Sequence, residues 1–261
     1  MAVAELALRA LVAVPLGLVV GSFMTVVTER VPAGASVVRP RSRCPRCSTP
    51  IAARDNVPVI SWVLLRGRCR ACGEPISPTY PLIELATAAL IAGALLRVED
   101  LGYAIAVAGL LALLPAVTLI DIRRRIIPNR IVYPALALEA AYLLLARLAG
   151  AEIDLLRSAL GFLALGGGFL IVALVAAGSF GMGDVKLGAL IGLVLGASGL
   201  AQPLVAAGSG ILLGGVFGIV ALLSGRGRKT KVPYGPFLAA GAVVAAFWGP
   251  QIASRYLDLL R

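Results

Sequence analysis

Phe180-Gly181-Met182-Gly183-Asp184-Val185-Lys186 opens directly into Leu187-Gly188-Ala189-Leu190-Ile191-Gly192-Leu193-Val194-Leu195-Gly196, ten residues without a charge. A carboxylate at the mouth of such a run governs the reading of the chain. An acid beside hydrocarbon is costly, so it sits there to cap a helix or to do chemistry. Gly181 and Gly183 permit a turn and a close backbone approach just ahead of it. Similar apolar runs recur along the chain, and a bilayer crossing needs about 20 such residues. The runs are continuously apolar rather than alternating, which argues against a β-barrel.

We place eight spans near 11–28, 81–98, 103–120, 131–149, 157–178, 185–201, 203–224 and 235–254. Only 14% of residues are charged and mean hydropathy is +0.95, against about 25% charged in a soluble domain. The expected fold is an all-α polytopic membrane protein. Gly21-Ser22-Phe23 lies inside the first run, so that run is expected to be a retained helix rather than a cleaved signal. The net charge of +11 needs no nucleic-acid partner. With the N-terminus outside, loops 30–80, 121–130, 179–186 and 225–233 face inward and carry 18 of the 24 Lys and Arg, as the positive-inside rule requires. This places Asp121, Asp184 and the polar segment 31–80 at the cytoplasmic face.

That polar segment is rich in Arg and Pro, with little apolar material for a core. Small domains of this kind need a staple. Cys44-Pro45-Arg46-Cys47 and Cys69-Arg70-Ala71-Cys72 are paired CxxC knuckles, the spacing of a zinc ribbon. Four thiolates suit a closed tetrahedral Zn2+ site, hence a structural metal. Disulfides or redox work are the alternative, disfavoured in the cytoplasm, and iron is a second occupant compatible with four thiolates. Between the knuckles, 54–68 reads as a turn followed by an amphipathic patch on the membrane surface, with arginines suited to anionic lipid. The domains expected are 1–30 (first helix), 31–80 (four-cysteine zinc domain) and 81–261 (membrane-embedded core).

The chain has no histidine. Ser-His-Asp and Cys-His catalysis and the HExxH metallopeptidase are therefore excluded. Few acids lie against apolar runs; Glu84, Asp121, Glu139 and Asp184 are the main ones. Asp121 precedes Arg123-Arg124-Arg125 and the turn at Ile127-Pro128-Asn129. Each acid taken alone has a helix-boundary explanation. Together, two carboxylates on one membrane face suit hydrolysis: proximity keeps one protonated and one charged, so that one activates water while the other hydrogen-bonds the scissile carbonyl. Gly181, Gly183 and Lys186 would support Asp184, and Glu84 would face the zinc domain or a substrate amine. Glycines at 188, 192 and 196, and at 210, 214 and 218, read as close helix packing or as a substrate groove.

The residues then resemble the type IV prepilin peptidases, bacterial enzymes of the A24 aspartyl peptidase group. The resemblance rests on Gly21-Ser22-Phe23 with Arg30, both knuckles, Arg54-Asp55-Asn56-Val57-Pro58, Ile60-Ser61-Trp62, Tyr80-Pro81, Glu84, Asp121 with Ile127-Pro128-Asn129, Gly181 to Lys186, and Pro233-Tyr234-Gly235-Pro236-Phe237-Leu238. Thr25 and Thr79 depart from it, standing where Asn and Arg are usual. It implies a catalytic pair Asp121 and Asp184 and an inner-membrane enzyme. The implied substrates are prepilin and pseudopilin precursors with a short basic leader, cut after a glycine and feeding a type IV pilus or type II secretion. Many relatives also methylate the new N-terminus with S-adenosylmethionine. The rival readings are a zinc-stapled membrane scaffold or transporter without hydrolytic activity, and a methyltransferase in which peptidase function is secondary.

Overall fold

The computed structural model describes residues 3–175, 181–224 and 233–259. Phe180, at the head of the opening stretch, and most of loop 225–233 fall outside these residues. The helices are α1 (Val3–Arg30), α2 (Ile60–Leu64), α3 (Thr79–Arg97), α4 (Leu101–Arg124), α5 (Asn129–Leu148), α6 (Leu155–Phe162), α7 (Gly168–Val175), α8 (Met182–Gly196), α9 (Ala201–Leu223) and α10 (Gly235–Asp258). A π-helical turn at Leu163–Gly167 joins α6 to α7 as one rod. Among the described residues, seven helical stretches are long and apolar enough to cross a membrane, and the protein is an all-α, multi-spanning membrane protein. The expected span at 185–201 corresponds to α8, which has 15 residues and is about 22 Å long at 1.5 Å per residue. The expected break near 199–203 falls between α8 and α9.

Local chemistry sets the helix ends. Asp100 caps α4 by accepting from the Tyr103 amide at 2.6 Å, and Asp154 caps α6 through the Arg157 amide at 3.0 Å. Arg125 closes α4 in the left-handed conformation. At the end of the bundle opposite Asp121, Arg9 of α1 donates to the Leu95 and Val98 carbonyls, satisfying the last acceptors of α3.

Short α8 is the most enclosed helix: Leu187, Leu190, Val194 and Leu195 are fully buried. Its glycines explain how. Gly192 lies against the Gly161 backbone and Gly196 against Arg157 and Ser158, so α6 approaches at backbone distance, while Gly188 receives the Phe169 ring of α7. Gly17 and Gly21 likewise seat α1 on Ala88 and Glu84 of α3, and Gly210 meets the α10 backbone. Nothing lies within 4 Å of a side chain built at Gly218. The regular glycine spacing is thus mainly a packing device. By contrast α9 is mostly exposed, its apolar side chains left for lipid.

Candidate active site

Asp121 is reached at the last turn of α4, and Asp184 stands in the first turn of α8. Both are buried, at 5% and 9% exposure. Chain direction brings the C-terminus of α4 and the N-termini of α5, α8 and α10 to one end of the bundle. Two contacts lock α5 to α8 there: Lys186 Nζ donates to Asn129 Oδ1 at 2.8 Å, and Gly183 packs against Ile127. The Lys186 ammonium also lies over the Tyr133 ring, 4.9 Å from its centroid. Asp121 and Asp184 come within electrostatic reach of each other.

Each carboxylate meets a helix N-terminus. Asp184 Oδ2 accepts from the Gly181 amide at 3.3 Å, so it caps its own helix. Asp121 Oδ2 accepts from the Gly235 amide, the first of α10, at 2.9 Å. First-turn amides lack helical partners and carry the positive end of the helix dipole, so each end favours negative charge on the acid it meets. Tyr234 precedes α10 and completes this wall; burial, and then the Asp184 carboxylate, raise its hydroxyl above the ordinary tyrosine value. Its ring meets Phe169 edgewise and Phe237 at a tilt.

The Gly235 amide is a site feature that residue types alone do not reveal, because a backbone donor leaves no side-chain signature. The signal available was a Tyr-Gly-Pro helix start on the same face as the two acids. Glu84 lies elsewhere: its Oε2 accepts from the Val59 amide at 2.7 Å, so it serves the segment before α3. Glu139 is buried in α5 against Gly109, and its Oε2 has no hydrogen-bond partner among the described residues. Thr25 bonds within its own helix to the Ser22 carbonyl. Thr79 accepts from Arg123, which also pairs with Glu29 at 2.8 Å, tying α1, α3 and α4 together beside Asp121.

The four cysteines form one cluster at this same end, between α1 and α3. Their sulfurs all lie within 4.8 Å of one another, and Cys44 and Cys72 are 3.8 Å apart. A tetrahedral site with Zn–S bonds of about 2.3 Å has edges of about 3.8 Å, so the donor set fits a metal. No disulfide links them. The knuckles repeat each other: Cys44 and Cys69 amides are answered by the Thr49 and Glu74 carbonyls, and Arg43–Pro50 matches Arg68–Pro75 as a β-bridge. Thr49, through its hydroxyl and then its amide, brings the Cys47 thiol down to about 6, and the Cys72 and Ala71 amides lower Cys69. Although the Glu74 amide favours its thiolate, burial and the neighbouring sulfurs push Cys72 up to about 12. Metal binding would hold all four as thiolates.

Fold and site define a multi-spanning membrane protein with a buried aspartate pair at helix ends and a four-thiol module beside it. The family models agree: residues 16–98 match the bacterial peptidase A24 N-terminal domain and 108–219 the type IV leader peptidase family. The chain belongs to the type IV leader peptidase family. It is 36% identical to a prepilin leader peptidase/N-methyltransferase of Bacillus subtilis, over 93% of this chain and 96% of that one. A protein of the same name from Stutzerimonas stutzeri is 35% identical, over 96% and 94%. One from Myxococcus xanthus is 38% identical, over 83% and 64%. No solved structure matches.

Proposed function

We propose that the protein is an aspartyl endopeptidase of the bacterial inner membrane. It removes the short basic leader of type IV prepilins and pseudopilins, after a glycine, at the cytoplasmic face. The observation that carries this is the convergence of Asp121 and Asp184 with a helix N-terminus on each. In the hydrolytic step the charged carboxylate takes a proton from water as that water attacks the scissile carbonyl. The protonated partner hydrogen-bonds the carbonyl oxygen, and then a proton passes to the leaving amine. The dyad acts as a unit, so neither acid is assigned a fixed role.

The arginine-rich loops at this end favour the cytoplasmic orientation. We read α8 as an eighth crossing, shortened because its neighbours shield it. The units are then 1–30, the four-cysteine domain 31–80, and the peptidase core 81–261. The paired knuckles support a zinc-ribbon-like fold with a structural Zn2+ on Cys44, Cys47, Cys69 and Cys72. The N-methyltransferase in the relatives' names suggests S-adenosylmethionine-dependent methylation of the amine that cleavage exposes.

The test is Asp121→Asn and Asp184→Asn, each assayed on a prepilin precursor with the protein's membrane level measured. Loss of about 10²–10⁴-fold or more in cleavage at equal level is expected. Intact cleavage would favour the scaffold or transporter reading. The mass of the mature N-terminus separates cleavage alone from cleavage with methylation.

A further inference from the structure

The module between α1 and α3 carries an apolar face that no described residue covers. Ile60, Val63 and Leu64 of α2 are 56%, 60% and 75% exposed, and Val57 lies exposed one turn earlier. The opposite side of this helix is fully engaged. Ser61 is buried, donates to the Arg54 carbonyl at 3.0 Å and accepts from the Val57 amide at 2.9 Å. Trp62 Nε1 donates to the Ile76 carbonyl at 3.0 Å, and its ring covers Gly67. Trp62 and Ser61 therefore fix which side of α2 turns outward.

The depth of this face follows from Glu84. That acid lies in the second turn of α3, five residues beyond Thr79, which is about 7 Å along the helix axis. Its carboxylate holds the Val59 amide, the residue immediately before α2. Val59 stands at φ +60°, an outlier for a β-branched side chain, so the joint is held in place rather than adopted by default. At the same level α3 turns Leu82 and Leu85 outward, 61% and 49% exposed, in a helix apolar enough to cross the membrane. The start of α2 is thus level with lipid-facing leucines. Arg66 and Arg68 follow at once, both exposed and without an ion pair among the described residues.

We propose that α2 is a membrane-interface anchor. Ile60, Val63 and Leu64 lie in the headgroup–acyl boundary, and Arg66 and Arg68 engage anionic lipid headgroups. Apolar residues on one face with arginines at the edge are what an interfacial helix requires. The anchor fixes the four-cysteine module against the bilayer through the Glu84–Val59 bond. A second copy or a protein partner would need the same face to stand clear of lipid.

The test is photocrosslinking of the full chain in nanodiscs of phosphatidylcholine with phosphatidylglycerol. Benzoylphenylalanine replaces Leu64 and, as a lipid-facing reference, Leu11 of α1, which is 73% exposed. Lipid adducts at position 64 should reach at least about a third of the yield at position 11, as expected for a side chain seated among acyl chains. A lower yield, or a crosslink to a second copy, would overturn the anchor. Phosphatidylglycerol should be enriched among the adducts at 64 over its bulk share. Arg66→Gln with Arg68→Gln should return it to the bulk share, and undiminished enrichment would overturn the headgroup contact.

Discussion

The backbone amide of Gly235 donates to Asp121 Oδ2 at 2.9 Å, joining positions 114 residues apart. A methyl group at 235 would lie 2.7 Å from that oxygen. Gly235→Ala must therefore displace the carboxylate or the start of α10. Cleavage of a prepilin precursor should fall about 10- to 100-fold, the scale of a displacement near 1 Å at a reacting group, with the membrane level of the protein unchanged.

A second close approach gives a rescue experiment. A side chain at 183 would meet Ile127 Cβ at 2.8 Å, forcing α8 away from the turn that leads into α5. Gly183→Ala should slow cleavage about tenfold. Adding Ile127→Gly removes the Cβ that the new side chain meets and should restore much of the rate. Failure of the double variant to recover would show that Gly183 is needed for more than this contact.

Much of this was legible in the sequence, for physical reasons. The spans follow from the bilayer, which demands long apolar runs, and the paired knuckles from metal geometry, which demands fixed spacing. The chain alternation that brings Asp121 and Asp184 to one end follows from counting spans. The Gly235–Asp121 bond was not legible, since a backbone amide has no residue signature and its partner is remote. Neither was the enclosure of α8, because lipid-facing and buried leucines look alike in a membrane protein. Glu84 reaches the 31–80 segment toward which the sequence pointed it, through the Val59 amide, a partner that pattern cannot name.

Asp55 and Arg70 form a forked ion pair, with contacts of 2.7, 2.9 and 3.1 Å. The Arg70 hydrogen bonds first, and its charge next, hold the Asp55 carboxyl below the ordinary aspartate value. A depressed acid contributes stability that is present above its unfolded value, about 3.9, and is lost as pH falls through the folded value. Carboxyl-carbon NMR should show Asp55 titrating below the ordinary range. In Arg70→Gln its midpoint should rise toward the ordinary value, and an unmoved midpoint would contradict the pair's role.

Purified protein should hold about one zinc per chain. Stripping the metal should raise the number of thiols reactive toward a maleimide from near zero to the four present. Hydrogen exchange should then accelerate in 43–76, while α4 and α8 keep their protection. Metal-free protein with an equally protected module would show that hydrogen bonds alone hold the knuckles.

The amide that meets Asp121 belongs to α10, and the ribosome delivers α10 after every other described helix. During synthesis Asp121 enters the membrane first, Asp184 later, and the Gly235 donor last. Between those moments the bundle holds two acids without their full set of donors. The Asp121 carboxylate thus gains its Gly235 donor only when the last described helix is in place.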